Sequence, residues 1–217
     1  MRVREIYERR FRGNEPYRDL VWRKLVERVF QPLVPEGGTI LDLGCGYGEF
    51  INNVRAARRY AMDANPAARE RLRPGVEFIE QDCSQRWGIP TESLDVVFSS
   101  NFFEHLPSKE ALQATLGNAY SAIKPGGRLI SLGPNIRYLP GAYWDFIDHH
   151  VPLSDRSALE ALELAGFVRE SVIDRFLPYT MSDGGRTTPI ALVDLYLRVP
   201  LFWRFFGKQF LIVARKE

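Results

Sequence analysis

A short apolar strand running straight into three alternate glycines restricts this chain to few architectures. Residues 40–50 read Ile-Leu-Asp-Leu-Gly-Cys-Gly-Tyr-Gly-Glu-Phe. Ile40 to Leu43 form the strand, and a helix-like pattern follows Gly44, Gly46 and Gly48. Glycine lets a backbone turn sharply and approach a ligand with no Cβ in the way. A helix starting there would offer free N–H groups to a polar or anionic group. Strand-like and helix-like patterns alternate downstream, which predicts a mostly parallel sheet with helices on its faces. A nucleotide-like cofactor is the natural occupant of such a turn.

The glycine spacing narrows the choice. A dinucleotide fingerprint is G-x-G-x-x-G, with pyrophosphate at the helix start. Here the pattern is G-x-G-x-G with Glu49 directly after it. That carboxylate would repel pyrophosphate but would tolerate a cofactor bearing an ammonium and a sulfonium, and Asp42 points the same way. The second strand, Arg59 to Met62, ends at Asp63, where an acid can hold both hydroxyls of a ribose. The third, Val76 to Ile79, leads to Gln81-Asp82-Cys83. Ser93 to Ser100 reads as the fourth, followed by Asn101-Phe102-Phe103-Glu104-His105-Leu106, and Lys124-Pro125-Gly126-Gly127-Arg128 turns into the fifth. Five such strings in order over residues 38–133 resemble the class I S-adenosylmethionine (SAM) dependent methyltransferases, the glycine string matching their motif I.

The resemblance implies a doubly wound, Rossmann-like, seven-stranded α/β sheet, mostly parallel with its last strand antiparallel. It implies SAM as cofactor, held by Asp42, Gly44, Cys45, Gly46, Tyr47, Asp63, Ala64, Asp82, Cys83, Asn101 and Phe102. In that family the acid at position 82 accepts from the adenine amino group and the next backbone N–H meets the ring. The strings Gly-Pro-Asn-Ile-Arg-Tyr, Tyr-Trp-Asp-Phe-Ile-Asp-His and Arg-Phe-Leu-Pro-Tyr-Thr look like a subgroup of small bacterial methyltransferases (type-11-like) met among polysaccharide-assembly enzymes. That implies a sugar or glycolipid hydroxyl as acceptor.

With 217 residues, the chain is expected to form one methyltransferase domain, 1–217. Residues 1–36 form a helical cap, with Asn14 as N-cap, a helix over Glu15 to Phe30, and Tyr7, Arg10 and Tyr17 as candidate cover residues. Asn65-Pro66 is expected to open the second crossover helix, Ser84 to Thr91 is too short for a third, and Ser108 and Ser154 or Asp155 cap later helices. Residues 178–206 form an insertion between the last two strands, polar at first and then strongly apolar. A formal net charge of +2 gives no reason to expect nucleic acid as a partner. Two cysteines make no disulfide framework, and no signal peptide or spanning run is seen, so a cytoplasmic setting is expected. Trp203, Phe202, Phe205 and Phe206 beside Arg204 suggest peripheral membrane contact through 190–206, at the inner face of the membrane. A helix pair packed over the sheet, or a homodimer contact, is the competing reading.

Methyl transfer is an in-line displacement at a sulfonium carbon, so the protein must hold the nucleophile close and exclude water. A hydroxyl acceptor also needs a group that takes its proton. The chain has three histidines, and His149 and His150 adjoin Asp148, the pairing that sets an imidazole tautomer and raises its basicity. His149, His150 and Asp148 are therefore the catalytic candidates. With Asp145 they match no firm metal template, and no metal is expected. His105 reads mainly as a shaper of the cofactor pocket. Tyr138, Tyr143, Trp144 and Phe146 could line an acceptor pocket, and Arg137 and Arg175 could hold an anionic group on a small-molecule, sugar or lipid-linked acceptor. The competing classes are a nucleotide-binding oxidoreductase, disfavoured by the glycine spacing, and a non-catalytic SAM-binding partner protein.

Overall fold

The computed structural model describes residues 15–139, 141–179 and 187–217. Asn14, Tyr7, Arg10 and most of the polar stretch from Thr180 lie outside the described residues. Seven strands form one sheet: β1 (Thr39–Leu43), β2 (Arg58–Asp63), β3 (Val76–Glu80), β4 (Leu94–Ser100), β5 (Ile123–Pro134), β6 (Val168–Ile173) and β7 (Gln209–Arg215), in the order β3-β2-β1-β4-β5-β7-β6. The first five run parallel, and β7 is antiparallel to both neighbours, β5 and β6. This is the doubly wound, Rossmann-like sheet with an antiparallel last strand. The strand order reverses between β1 and β4, and in open α/β sheets ligands sit beyond the carboxyl ends at such a point.

Alternation along the strands divides the core in two. Leu41, Leu43, Met62, Val97 and Leu129 pack under α2 (Lys109–Ala122) and α3 (Asp155–Leu164). Ile40, Ala61, Val96, Phe98, Ile130 and Leu211 face the other way. There they meet α1 (Glu15–Leu25), a π-turn over Val26–Phe30, and Phe50 with Ile51. Phe98 is the hub of this face: its ring stacks on Phe50 at 3.7 Å between centroids and meets Phe30 at 4.9 Å and Trp22 at 6.1 Å. Both later helices start as the sequence predicts. The Ser108 hydroxyl accepts from Ala111 N–H, and Ser154 makes a reciprocal capping box with Ser157.

Three helix expectations change. Residues 49–53, after the glycines, form turns and not a helix. Asn52 and Asn53 are poor helix formers, and Asn53 Nδ2 takes the Glu49 carbonyl as a side-chain partner. The second crossover is a 3-10 stretch, Pro66–Arg71, and not a full helix. Pro74 disfavours helical backbone at Arg73, and Gly75 has φ of 84°. The helix expected from Glu15 to Phe30 is α-helical only to Leu25. It then widens to the π-turn, whose closing bond runs from Gln31 N–H to the Val26 carbonyl and brings Phe30 onto Phe98.

Between β6 and β7 lie α4 (Ile190–Arg198) and α5 (Pro200–Phe206). Their inner side is anchored: Arg28 Nε meets Asp194 at 2.8 Å, Trp203 Nε1 donates to the Tyr196 carbonyl, and the Trp203 ring packs edge-on to Phe176. Their outer side exposes Leu192, Leu195, Leu201, Phe205 and Phe206. Among the described residues no helix is long and apolar enough to cross a membrane.

Candidate functional site

The turn after β1 is built by backbone. Gly44 N–H and Cys45 N–H both donate to the Met62 carbonyl, at 2.9 and 3.1 Å, and Gly48 N–H closes onto Cys45. Gly44, Gly46 and Gly48 have φ of 70°, 50° and 71°, a region costly for residues with a Cβ. Space matters as much as torsion. A Cβ on Gly44 would lie 2.2 Å from the Phe102 ring, and one on Gly48 2.7 Å from Leu72 Cδ2. The tip of β2 grips the turn through Asp63, whose Oδ2 accepts from Gly46 N–H at 2.9 Å and Oδ1 from Asn65 N–H at 2.8 Å.

Acids ring this cradle. Asp42 is buried at 3% exposure, and Ile51 N–H bonds its carboxyl. Burial, then Glu49 and Asp63, push that carboxyl well above its ordinary value. Burial also raises Glu49, against the Arg18 guanidinium of α1, which forms an ion pair with it. The Arg18 and Arg71 guanidiniums flank the Tyr47 ring, at 5.6 and 5.0 Å. Asp82 is exposed at the tip of β3, its carboxyl held below the ordinary value by the N–H and hydroxyl of Ser84. Ala64 is exposed beside Asp63, while Cys45 and Cys83 are buried, with the Cys83 thiol pushed up to about 11. Asn101, at φ of 48°, turns the chain out of β4 so that Phe102 lies over Gly44. The structure thus brings all eleven candidate cofactor residues to the tips of β1 to β4. Acids around a glycine cradle, with Asp42 buried among them, suit a cationic, uncrowded ligand such as SAM, and poorly suit a pyrophosphate.

Beyond Phe103 lies a second polar group. The Glu104 carbonyl accepts from His150 N–H at 2.8 Å and Val151 N–H at 3.1 Å, pinning the loop 141–151 to the exit of β4. His149 is buried there: its Nδ1 lies 2.9 Å from the Tyr143 carbonyl, and its ring lies 4.6 Å from Tyr143, 5.1 Å from Phe146 and 4.9 Å from His105. Asp148 reaches His105, 43 residues away in the chain. Its carbonyl lies 2.9 Å from His105 Nδ1 and its carboxylate 3.4 Å from the same nitrogen. His150 keeps an exposed side chain. Glu104 is buried at 3% exposure, and burial pushes its carboxyl up against the opposing pull of His105. Sequence reasoning missed Glu104. Its one signal was the Glu-His string at a strand exit, which says nothing of burial.

Other expected acceptor residues are occupied elsewhere. Arg137 Nη1 meets Asp155 at 2.8 Å, and Arg175 donates to the carbonyls of Gly207 and Phe205. Tyr138 donates to Asp174 beneath Arg175. These three brace the β5–α3 and β6–β7 joints. Of the aromatics, Tyr143 is wholly buried with its hydroxyl on the Val151 carbonyl, Phe146 reaches His149, and Trp144 is 56% exposed.

Residues 15–172 match the family model described as a methyltransferase domain. No curated protein matches the chain. Among solved structures, a SAM-dependent methyltransferase from Archaeoglobus fulgidus is 23% identical over 99% of this chain and 100% of its own, with a TM-score of 0.69. A possible histamine N-methyltransferase from Thermotoga maritima is 18% identical over 99% and 96%, at 0.71. The (4+2)-cyclase SpnF is 21% identical over 91% and 80%, at 0.61. At these identities the likeness is one of fold, and the family match carries the reaction class.

Proposed function

The chain belongs to the methyltransferase-domain family, as an enzyme that uses SAM, and on that premise we propose that it methylates a hydroxyl of a small-molecule, sugar or lipid-linked acceptor. When bound, SAM supplies an electrophilic methyl on a sulfonium. The fit to this chain rests on the cradle: the Gly44 and Gly48 positions where a Cβ would collide, and the acids Asp42, Glu49, Asp63 and Asp82 around them. In this reading Gly44, Cys45, Gly46 and Tyr47 hold the amino-acid end with Asp42. Asp63 and Ala64 hold the ribose, Asp82 and Cys83 the adenine, and Asn101 and Phe102 close the pocket toward the acceptor. Residues 1–217 act as one domain with 1–36 as its cap and 178–206 as an insertion.

The observation that carries the hydroxyl assignment is the buried polar group behind Phe102 and Phe103. An acceptor nitrogen with a lone pair needs no proton removed, whereas a hydroxyl becomes nucleophilic as its proton leaves. His149, walled by Tyr143 and Phe146, meets the acceptor oxygen. Asp148 holds the neighbouring His105 ring in place, and exposed His150 passes the proton to solvent. Tyr143 and Phe146 exclude water from one side. His149→Ala is expected to lower kcat by about 10²–10⁴ with unchanged SAM affinity. Wild-type turnover on an identified acceptor would reject the assignment.

The outer side of α4 and α5 supports a lipid-linked acceptor. Leu192, Leu195, Leu201, Phe205 and Phe206 are each about half exposed or more, beside Arg198 and Arg204. Such a face suits an anionic membrane surface. Sedimentation with anionic liposomes, lost in Phe205→Ser/Phe206→Ser, tests it. A protein that stays in the supernatant, or a dimer broken by the same change, argues for a protein contact instead.

A further inference from the structure

We propose that Glu104, His105 and His149 form a site for one divalent transition-metal cation of the Zn²⁺ type, at the acceptor side of the cofactor cradle. One ligating atom from each of the three lies within 4.8 Å of the other two. Atoms bound to a single Zn²⁺ at about 2.0–2.2 Å stand roughly 3–3.5 Å apart. Closing a pair at that 4.8 Å limit therefore takes a shift of roughly 1.3–1.8 Å.

Two independent features point to a cation. The first is how the imidazoles are held. His105 Nδ1 faces the Asp148 carbonyl and His149 Nδ1 faces the Tyr143 carbonyl, both at 2.9 Å. A carbonyl only accepts, so each ring carries a proton on Nδ1, and in the neutral ring the lone pair is then on Nε2. Metal-ligating histidines are held in this way, with the distal nitrogen donating to a carbonyl or carboxylate. Here Asp148 supplies both kinds of acceptor to His105, its carbonyl and, at 3.4 Å, its carboxylate. The second feature is Glu104. Its side chain is buried, and among the described residues no lysine or arginine pairs with it. A buried carboxylate stays ionised where it is paired or binds a metal, and the groups gathered at Glu104 are the two imidazoles.

The donor chemistry selects the ion. Two imidazole nitrogens and one carboxylate oxygen form a borderline N/O set that suits Zn²⁺, Co²⁺, Mn²⁺ or Fe²⁺. Mg²⁺ and Ca²⁺ prefer all-oxygen shells. Three protein ligands leave a coordination position open. Its consequence, though not its occurrence, rests on the acceptor-side reading given above. An acceptor hydroxyl at the open position would become more acidic, because a bound cation stabilises the developing oxyanion. With Nδ1 on the Tyr143 carbonyl and Nε2 on the cation, His149 would orient the ion instead of taking the proton, and His150, outside the ligand set, would take it.

The test is spectroscopic and needs no acceptor. The whole protein, stripped with a chelator, is titrated with Co²⁺, while SAM binding is measured in parallel by calorimetry. The expected result is one equivalent of Co²⁺ with the intense visible d–d absorption of a four- or five-coordinate ion, displaced by Zn²⁺. Glu104→Gln and His105→Gln should each weaken Co²⁺ binding at least tenfold, and His150→Gln should leave it intact. His105 is partly exposed, so its variant serves if Glu104→Gln fails to fold. The weak spectrum of hydrated, six-coordinate Co²⁺ in the wild type overturns the proposal, as does equal binding in the His105 variant. SAM binding without Co²⁺ binding rejects the metal site alone. Co²⁺ binding without SAM binding leaves the metal site standing and rejects the cofactor cradle.

Discussion

Replacing Asp63 should damage the cofactor cradle in two separable ways. Both carboxylate oxygens already hold backbone, accepting from Gly46 N–H at 2.9 Å and Asn65 N–H at 2.8 Å. A hydrogen bond to a charged group is worth about 1.5–3 kcal/mol, and these part-buried ones belong near the lower end. Asp63→Ala removes both, so the unliganded protein should lose about 3 kcal/mol. For a domain of this size that is a fall in Tm of roughly 6–12 °C. Asp63→Asn keeps one oxygen acceptor and should lose about half as much. SAM binding then suffers a further loss, because Asp63 is assigned to the ribose and because Gly46 is no longer fixed. One charge-assisted bond amounts to about 1.5–3 kcal/mol, or roughly a 10- to 150-fold rise in Kd. Thermal melts of the free protein measure the first effect, and calorimetric titration with SAM measures the second. An Asp63→Ala protein that binds SAM within twofold of wild type would refute the ribose assignment. An unchanged Tm would refute the bracing role.

Gly44→Ala should abolish SAM binding: its φ of 70° costs an L-residue about 1–2 kcal/mol, and its Cβ would lie 2.2 Å from the Phe102 ring. Retained affinity in calorimetry would show that Phe102 does not close the cradle. Burial raises the carboxyls of Asp42 and Glu49 in the free protein. The protonated forms are therefore favoured on folding, and stability falls as pH rises from the unfolded value of about 4 toward the raised folded values. A cationic cofactor favours the ionised forms, so SAM binding should release protons and tighten with pH across that window. Calorimetry in buffers of different ionisation enthalpy reads the release, and proton uptake would contradict it. Phe98→Ala, at the fully buried centre of a four-ring cluster, should cost about 3–5 kcal/mol, visible as a lower urea midpoint.

How much the sequence disclosed depended on how local each cause was. The strand tips were legible because parallel, doubly covered strands leave continuous apolar runs such as Ile40 to Leu43, ended by glycine or an acid. The caps at Ser108 and Ser154 were legible for the same reason: a hydroxyl and the N–H it satisfies lie three residues apart. The first two crossovers were misread because periodicity does not register what breaks a helix. Asn52, Asn53 and Pro74 each divert the backbone within an otherwise suitable apolar pattern. The loop 141–151 was the least legible. Sequence adjacency pointed from Asp148 to His149 and His150, and could not announce that the loop folds back on the exit of β4 and brings Asp148 to His105. Arg137 and Arg175 looked available for an acceptor because their partners, Asp155 and the carbonyls of Phe205 and Gly207, lie 18 to 32 residues away.

A crystal structure grown with S-adenosylhomocysteine tests the central claim most directly. The account predicts the ribose on Asp63, the adenine beside Asp82 and Cys83, and the amino-acid end against Gly44 to Gly46, with Phe102 closing over it. A molecule bound away from the tips of β1 to β4, or a crevice that stays empty at saturating ligand, would contradict it.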